Sequence, residues 1–308
     1  MRNIIIDTDP GIDDILAILF ALKCEDLNVE ALTTVSGNVP VEIATRNALK
    51  ILEIANRRNI LVASGASRPL RKDQLTAELI HGKDGLANMN LSEPTIKKIN
   101  LSAVELMKER LLKSKEPITI VAIGPMTNLA ILNILYPRVF SQIEEIIFMG
   151  GAAFCPGNIT SGAEFNIYVD PDAANLVFNS GVKLKMIGLD VTMKTILKKD
   201  KIENSNDSGD EAYKFFRRLI NNALEIMPQS MEKGGIALHD PLAIGACLSN
   251  DILKYKEYDL KVETEGSEGL GVTLVDDRSW SESKKNAKVA VEVDNNDFID
   301  LFLKTLRK

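Results

Sequence analysis

Four aspartates lie within eight residues near the start of the chain, in the stretch DTDPGIDD that spans residues 7–14. Carboxylates spaced this closely repel one another unless a cation or bound protons compensate their charge. Hard oxygen ligands in that number suit Ca²⁺ or Mg²⁺ better than zinc. Asp13 or Asp14 alone could serve only to cap a helix, because the helix dipole stabilises acids at its N-terminus. Four acids around the Pro10-Gly11 turn predict a cation site instead.

The elements that must position this cluster follow from the pattern of apolar residues. The predicted strands cover residues 3–6, 29–35, 118–123, 145–149, 183–189, 258–262, 271–275 and 288–293. The predicted helices cover residues 13–24, 40–56, 101–113, 171–179 and 296–306, and a further helix begins near Thr127. Apolar strands separated by helices indicate an α/β fold with an open, mostly parallel central sheet flanked by helices and a Rossmann-like core. We expect one domain spanning residues 1–308.

This arrangement places the acidic cluster between the first strand and the first helix. Ligands bind at that end of the strands in open α/β sheets. The Pro10-Gly11 turn would fold the later carboxylates back toward the earlier ones. The position in the fold therefore strengthens the prediction of a binding site.

Composition excludes several other classes of function. The formal net charge is −6 with acids and bases interspersed, whereas a protein that binds nucleic-acid backbones needs a basic face. The three cysteines, Cys24, Cys155 and Cys247, have no CxxC spacing, which fits a reducing compartment. No apolar run approaches the ~20 residues of a membrane span, and the N-terminus has no signal-peptide core. We expect a cytoplasmic protein that acts on a small molecule rather than on nucleic acid or a membrane.

Further motifs follow the acidic cluster in order along the chain. They are Gly37-Asn38, His81-Gly82-Lys83-Asp84-Gly85, Gly124-Pro125-Met126-Thr127-Asn128, Met149-Gly150-Gly151, Gly157-Asn158, Ala163-Glu164-Phe165-Asn166, His239-Asp240-Pro241 and Glu263-Thr264-Glu265-Gly266. Together with DTDPGIDD, they resemble the motifs of the inosine-uridine-preferring nucleoside hydrolase family over essentially the whole chain. The resemblance implies an enzyme of nucleoside salvage that hydrolyses the N-glycosidic bond of ribonucleosides to ribose and free base.

The resemblance also implies roles for individual residues in metal binding and catalysis. Asp9, Asp14 and Asp240 would hold Ca²⁺ together with the main-chain carbonyl of Ile123, in the mixed oxygen shell that Ca²⁺ prefers. Asp9 would also act as general base toward the attacking water. His239 would protonate or orient the departing base, a role suited to an imidazole.

The remaining site residues are implied by the resemblance as contacts to the nucleoside. Those that match the family's ribose contacts are Asp13, Asn38, Asn158, Glu164 and Asn166. Amide and carboxylate groups of this kind pair with sugar hydroxyls. Met149 would pack against the sugar, His81 would line the base pocket, and Gln229 would hydrogen-bond the base edge.

One departure from the family pattern concerns the base. Many relatives carry aromatic residues before the HDP motif, but residues 221–230 contain none. Tyr213, Phe215 and Phe216 fit the core face of an amphipathic helix, and Trp280 lies far along the chain. We therefore expect pyrimidine or broad ribonucleoside use rather than strict purine specificity. The resemblance further implies a homodimer or homotetramer.

Two other interpretations remain open from the sequence. A catalytically weak protein that binds Ca²⁺ and ribose would retain nucleosides without turning them over, and the missing aromatic residues favour it. A haloacid-dehalogenase-like phosphatase would use Asp7 as nucleophile and Asp9 as general acid. That second alternative accounts only for the first motif.

Overall fold

Buried, β-branched runs form the strands of the computed structural model, which describes residues 1–203, 210–226, 234–248 and 251–308. The strands are β1 (Arg2–Thr8), β2 (Leu27–Thr34), β3 (Leu61–Ser64), β4 (Ile118–Ala122), β5 (Glu145–Met149), β6 (Leu184–Ile187), β7 (Ile196–Lys198), β8 (Gly235–Ala237), β9 (Leu253–Tyr258), β10 (Leu260–Val262), β11 (Thr273–Val275) and β12 (Ala287–Val293). Eight of them form the central sheet, in the order β3-β2-β1-β4-β5-β6-β12-β9. All neighbours are parallel except β9, which runs antiparallel to β12. The expected open, mostly parallel sheet is confirmed.

Helices cover both faces of this sheet. They are α1 (Ile12–Lys23), α2 (Val41–Ile54), α3 (Glu78–His81), α4 (Ala103–Lys113), α5 (Thr127–Leu135), α6 (Pro137–Phe140), α7 (Phe165–Val169), α8 (Pro171–Phe178), α9 (Leu189–Thr192), α10 (Lys199–Glu203), α11 (Glu211–Ile226), α12 (His239–Gly245) and α13 (Asn295–Leu306). Ile4 and Ile6 of β1 belong to the apolar cluster on the side of α1 and α13, while Ile5 belongs to the cluster that contains α4 and α5. This alternation follows from the two-residue period of a strand. Within the described residues, no helix is long and apolar enough to cross a membrane.

The strand order places a switch point beside β1. From β1 the chain proceeds outward to β2 and β3, then returns to place β4 on the other side of β1. Helices that follow β1 and β4 therefore lie on opposite faces, which leaves a crevice at the carboxyl ends of these two strands. The acidic cluster follows β1 directly and Ile123 follows β4 directly, so the topology brings both to this crevice.

The predicted strand over residues 258–262 was wrong as a single element. β9 ends at Tyr258, and β10 begins at Leu260 and leaves the central sheet to pair with β11. Asn286 accounts for the break, because its side chain accepts from the Leu260 amide at 2.7 Å and donates to the Leu260 carbonyl at 3.0 Å. These bonds satisfy backbone groups that a continuous ladder would otherwise pair. The pairs β7–β8 and β10–β11 lie outside the central sheet.

Phe302 of α13 fixes the helix that carries the acidic cluster. Its ring centroid lies 5.2 Å from that of Phe20 in α1 and 5.9 Å from that of Phe216 in α11. We expect Phe302→Ala to lower the free energy of unfolding by about 3–5 kcal/mol, because it opens a cavity in this cluster. Equilibrium denaturation measures the loss. Lys304 lies on the exposed side of the same helix, so Lys304→Ala should change the free energy of unfolding by less than about 0.5 kcal/mol. Similar losses in both variants would contradict a special packing role for Phe302.

Candidate metal and substrate site

A cavity of about 560 Å³ opens at the carboxyl ends of β1 and β4. Its wall includes ten of the residues that the sequence assigned to the site, namely Asp13, Asn38, His81, Ile123, Met149, Asn158, Glu164, Asn166, His239 and Asp240. Asp9 and Asp14 are fully buried and do not belong to the wall. Gln229 lies outside the described residues. The volume is within the range of roughly 300–1,000 Å³ that small-molecule sites occupy.

Asp14 accepts four hydrogen bonds that fold the acidic stretch back on itself. Its Oδ1 receives the Thr8 hydroxyl at 2.6 Å and the Asp9 amide at 3.2 Å. Its Oδ2 receives the Gly11 amide and the Asn38 side-chain amide, each at 3.0 Å. Because Asp14 occupies the third position of α1, these bonds join the end of β1 to the start of the helix.

Asp9 lies beside this turn with one oxygen lacking a hydrogen-bond partner. Its Oδ2 accepts from the Asn38 amide at 2.6 Å, whereas its Oδ1 and the Oδ1 of Asp13 are buried without a partner in the described protein. A methyl group at Gly37 would overlap Asp9 Oδ2, and one at Gly124 would lie 2.6 Å from Asp9 Oδ1. The two glycines therefore let the loops after β2 and β4 approach the carboxylate closely.

The last acidic residue of the cluster arrives from a distant part of the chain. Asp240 lies in the first turn of α12, and its carboxylate comes within 4.8 Å of those of Asp13 and Asp14. Burial raises the pKa of Asp9 and of Asp240 well above the usual range, and the neighbouring carboxylates add to the shift. Burial likewise raises the pKa of Asp13 and Asp14.

These residues fit a divalent cation. The donors are carboxylate oxygens, and two of them have no protein partner although unpaired buried oxygens are costly. A positive ion among the carboxylates would favour their ionised forms and reverse the direction of the pKa shifts. Asp13, which the resemblance assigned to ribose, forms with Asp14 and Asp240 a group whose oxygens lie within 4.8 Å of one another. Asp9 adjoins that group through the hydrogen bond from its backbone amide to Asp14.

Asp7 is held away from the cavity wall. It is fully buried, and its Oδ1 accepts from the Thr33 hydroxyl at 2.6 Å and from the Asn128 side chain at 2.8 Å. Burial raises its pKa to about 7. A phosphatase nucleophile must reach its substrate, and Asp7 instead joins β1 to β2 and to α5. The arrangement therefore gives the phosphatase interpretation no support.

The opposite wall carries amides that are anchored to strand ends. The Asn166 side chain donates to the carbonyl of Ile123, directly after β4, at 3.1 Å and to that of Met149, the last residue of β5, at 3.2 Å. A carbonyl has two lone pairs, so the Ile123 oxygen can accept this bond and still contact a cation. Asn158 is held by its Oδ1, which accepts from the Phe165 amide at 2.9 Å.

Glu164 forms the N-cap of α7 and part of the same wall. Its Oε2 accepts from the amides of Gly151 at 3.0 Å and Ile167 at 3.2 Å, and its Oε1 accepts from the Asn166 amide at 3.0 Å. Burial raises its pKa to about 6 even though these bonds lower it. The carboxylate is therefore fixed in orientation by backbone groups before any ligand arrives.

Both histidines of the chain lie in the cavity wall. His81 Nδ1 accepts from the Ile12 amide at 3.1 Å, which leaves the proton on Nε2, and burial lowers the pKa of the ring to about 4. Its Nδ1 also lies 3.9 Å from Asp13 Oδ1. His239 shares a 2.8 Å hydrogen bond between its Nδ1 and the Thr192 hydroxyl. His81 therefore supports the start of α1 and also lies in the cavity wall.

The sequence missed an apolar part of the wall formed by Ile80, Ile159 and Phe165. Ile80 lies on the four-residue helix α3, which is too short for helical periodicity to reveal a buried face. Phe165 could have been found, because it lies inside the motif that supplied Glu164. Trp280 is 76% exposed and lines a different groove. The aromatic residues of α11 are buried in the core as expected: Tyr213, Phe215 and Phe216.

Fold and site together define an open α/β protein with an acidic, ligand-sized pocket at the switch point of its sheet. The sequence profile of the inosine-uridine preferring nucleoside hydrolases matches residues 4–300. The chain is 42% identical over 307 residues to the pyrimidine-specific ribonucleoside hydrolase RihA of Escherichia coli O7:K1 (strain IAI39 / ExPEC), covering 99% of this chain and 98% of the relative.

Solved structures agree with this assignment. A plant nucleoside hydrolase is 34% identical, with a TM-score of 0.92 and 99% of each chain covered. A purine-preferring ribonucleoside hydrolase from Gardnerella vaginalis is 31% identical, also with a TM-score of 0.92, over 99% of this chain and 98% of that one. The chain belongs to the inosine-uridine-preferring nucleoside hydrolase family. It is therefore an enzyme of the class that hydrolyses N-glycosyl bonds.

Gly37→Ala tests whether Asp9 belongs to a cation site. The added methyl group displaces the Asp9 carboxylate, so we expect divalent-cation affinity to fall about 10- to 100-fold, as when a ligand loses its supporting contacts. Isothermal titration calorimetry measures the affinity. Gly269→Ala is the matched control, because its methyl group would meet only the flexible Glu263 side chain, at 3.3 Å. Unchanged divalent-cation affinity in Gly37→Ala would show that Asp9 is not part of the cation site.

Proposed function

We propose that the chain is a Ca²⁺-dependent ribonucleoside hydrolase that releases ribose and free base, with a preference for pyrimidine nucleosides. One observation carries the proposal. Buried carboxylates, two with an unpartnered oxygen, lie next to a cavity whose other wall holds fixed amide and carboxylate groups. A cation and a polyhydroxylated sugar are the ligands that these two walls complement.

Ca²⁺ suits the donor set better than a smaller ion. The chain offers Asp9, Asp14 and Asp240 as the predicted carboxylate ligands and the Ile123 carbonyl as a neutral one, and Asp13 lies close enough to contribute. Ca²⁺ accepts about six to eight oxygen ligands in flexible geometry, whereas Mg²⁺ demands near-octahedral coordination. Water and the ribose 2′- and 3′-hydroxyls would complete the larger shell.

The reaction can be assigned to groups of this chain. A Ca²⁺ ion bound among the carboxylates would supply a Lewis acid that lowers the pKa of water and fixes the sugar hydroxyls. Asp9 holds the attacking water and takes one of its protons through Oδ1, since Oδ2 is engaged by the Asn38 amide. The water oxygen then bonds to C1′ of the ribose. The electron pair of the broken C1′–N bond goes to the base, which receives a proton.

Sugar and base contact different parts of the wall. Cleavage develops positive charge on the ribose, by analogy with glycoside hydrolysis, and the Glu164 carboxylate lies in the wall to stabilise it. Asn158 and Asn166 hold the sugar hydroxyls through side-chain amides that are already oriented, Asn158 by the Phe165 amide and Asn166 by the Ile123 carbonyl. His239 donates a hydrogen bond through its ring N–H to the departing base and so stabilises the developing negative charge, while the base takes its proton from solvent water.

Two observations support a preference for pyrimidines. In the described part of the cavity wall, Phe165 is the only phenylalanine, tyrosine or tryptophan, whereas a purine held between two such rings needs a second one. The Escherichia coli relative at 42% identity is named as pyrimidine-specific. Ile80 and Ile159 add an apolar surface that suits one small ring.

Removal of the proposed base tests catalysis. We expect Asp9→Ala to lower kcat for ribose release from uridine at least about 100-fold, because general-base catalysis contributes on that scale. Chelation should abolish turnover, and added Ca²⁺ should restore it more fully than Mg²⁺. Asp300→Asn is the control, since that carboxylate is 70% exposed on α13. No ribose from uridine, cytidine, inosine or adenosine would refute the proposal, and nucleoside binding without release would favour the weak binding protein.

Base preference is tested separately with the wild-type chain. We expect kcat/KM for uridine and cytidine to exceed that for inosine and adenosine by at least about tenfold, a difference of ~1.4 kcal/mol in the transition state. Release of reducing sugar provides a common assay for all four substrates. Equal or higher kcat/KM for the purine nucleosides would overturn the preference and leave the hydrolase assignment intact.

A further inference from the structure

Thr192 stands behind His239 on the side away from the cavity. Its side chain is fully buried, and its hydroxyl lies 2.8 Å from His239 Nδ1, while His239 contributes to the cavity wall and Thr192 does not. We propose that Thr192 is a positioning residue for departure of the base, which it assists by fixing the orientation and tautomer of the His239 ring. This inference rests on the proposed function, because it deepens the role given there to His239.

The direction of this hydrogen bond fixes the tautomer of the neutral ring, and we assign the donor role to the Thr192 hydroxyl. When the Thr192 hydroxyl donates to His239 Nδ1, that nitrogen acts as acceptor and the ring proton resides on Nε2. A nucleobase in the cavity can then be contacted through Nε2–H, which donates to an acceptor on the base. The opposite tautomer would present a lone pair to the base and could not assist its departure.

A short two-stranded ladder holds the two residues together. β7 begins soon after α9, which ends at Thr192, and β8 ends just before His239 begins α12. Ile196 pairs with Ala237 across the antiparallel ladder, and the Leu238 amide donates to the Thr195 carbonyl at 2.9 Å. The ladder therefore brings the end of α9 beside the start of α12. The β7–β8 sheet is separate from the central sheet, and it contributes to the site by placing Thr192 next to His239.

Helix α9 also contacts the loop that follows β5. Asp190 of α9 accepts from the amides of Ala153 at 3.0 Å and Phe154 at 2.7 Å. The Leu189 amide donates to the Gly151 carbonyl at 2.9 Å, and Gly151 also donates to Glu164. α9 is therefore connected to the sugar side of the cavity as well as to His239. A ring held by such a frame needs no reorganisation when the substrate arrives.

Three variants separate positioning from general structural support. Thr192→Val keeps the shape of the side chain and removes the hydroxyl, and Thr192→Ser restores a hydroxyl in its place. Thr195→Val is the matched control, because Thr195 is equally buried and, among the described residues, its hydroxyl bonds only to the Val191 carbonyl of its own segment. All three are measured in the full chain with Ca²⁺ present.

Two ribosides with different leaving groups provide the kinetic readout. Uridine needs help for its base to leave, whereas the phenolate of 4-nitrophenyl β-D-ribofuranoside leaves without a proton. We expect Thr192→Val to lower kcat for uridine about 10- to 100-fold, KM to stay near the wild-type value, and the nitrophenyl riboside to lose less than about threefold. Thr192→Ser should recover most of the uridine activity, and Thr195→Val should match the wild type. Equal losses on both ribosides, or no loss on uridine, would overturn the inference.

A spectroscopic measurement of the His239 tautomer tests the inference independently of turnover. The chain has only two histidines, so ¹⁵N-histidine labelling gives two imidazole spin systems. Well above the usual imidazole pKa of about 6.5, the nitrogen shifts distinguish the Nε2–H from the Nδ1–H tautomer. We expect His239 in the wild type to show the Nε2–H pattern and Thr192→Val to show a mixture. An unchanged pattern in Thr192→Val contradicts the inference even if the enzyme is active, and a wild type inactive on every riboside refutes only the proposed function.

Discussion

Asp9, Asp13, Asp14 and Asp240 place four carboxyl groups in one buried region, and their mutual repulsion is the constraint that the site must satisfy. Burial alone raises the pKa of each group, and the neighbouring charges raise several of them further. Backbone amides, hydroxyls and the Asn38 side chain stabilise Asp14 and one oxygen of Asp9. Asp9 Oδ1 and Asp13 Oδ1 are buried without a partner in the described protein, so a cation is the natural complement of the arrangement.

The rest of the fold serves to bring these groups together and to hold sugar beside them. The switch of strand order at β1 creates the crevice, and carbonyls just after β4 and at the end of β5 orient Asn166. Gly37 and Gly124 allow two further loops to approach Asp9. At the part of the cavity assigned to the base, the β7–β8 ladder holds Thr192 within hydrogen-bond distance of His239. Each of these contacts is made within the protein, which means that the site is formed before substrate binds.

The sequence predicted the parts that are local or repeated. The central strands and the DTDPGIDD turn follow from apolar runs and from four acids in eight residues. Asp240 could be joined to them only through the family resemblance, because nothing in local pattern links residues so far apart. The break at residue 259 depends on a side chain from residue 286. Thr192 gave no signal, since a single threonine at the end of a four-residue helix has neither periodicity nor a distinctive residue type.

The central claim is that one cation compensates the buried carboxylates, and unfolding of wild type and Asp240→Asn with and without Ca²⁺ tests it most directly. In chelator, Asp240→Asn should be at least as stable as the wild type, because one member of a repelling set can no longer ionise. Ca²⁺ at a hundred times its Kd should stabilise the wild type by ~2.7 kcal/mol and the variant far less. A variant that is less stable in chelator, and that Ca²⁺ stabilises as much as the wild type, would contradict the account.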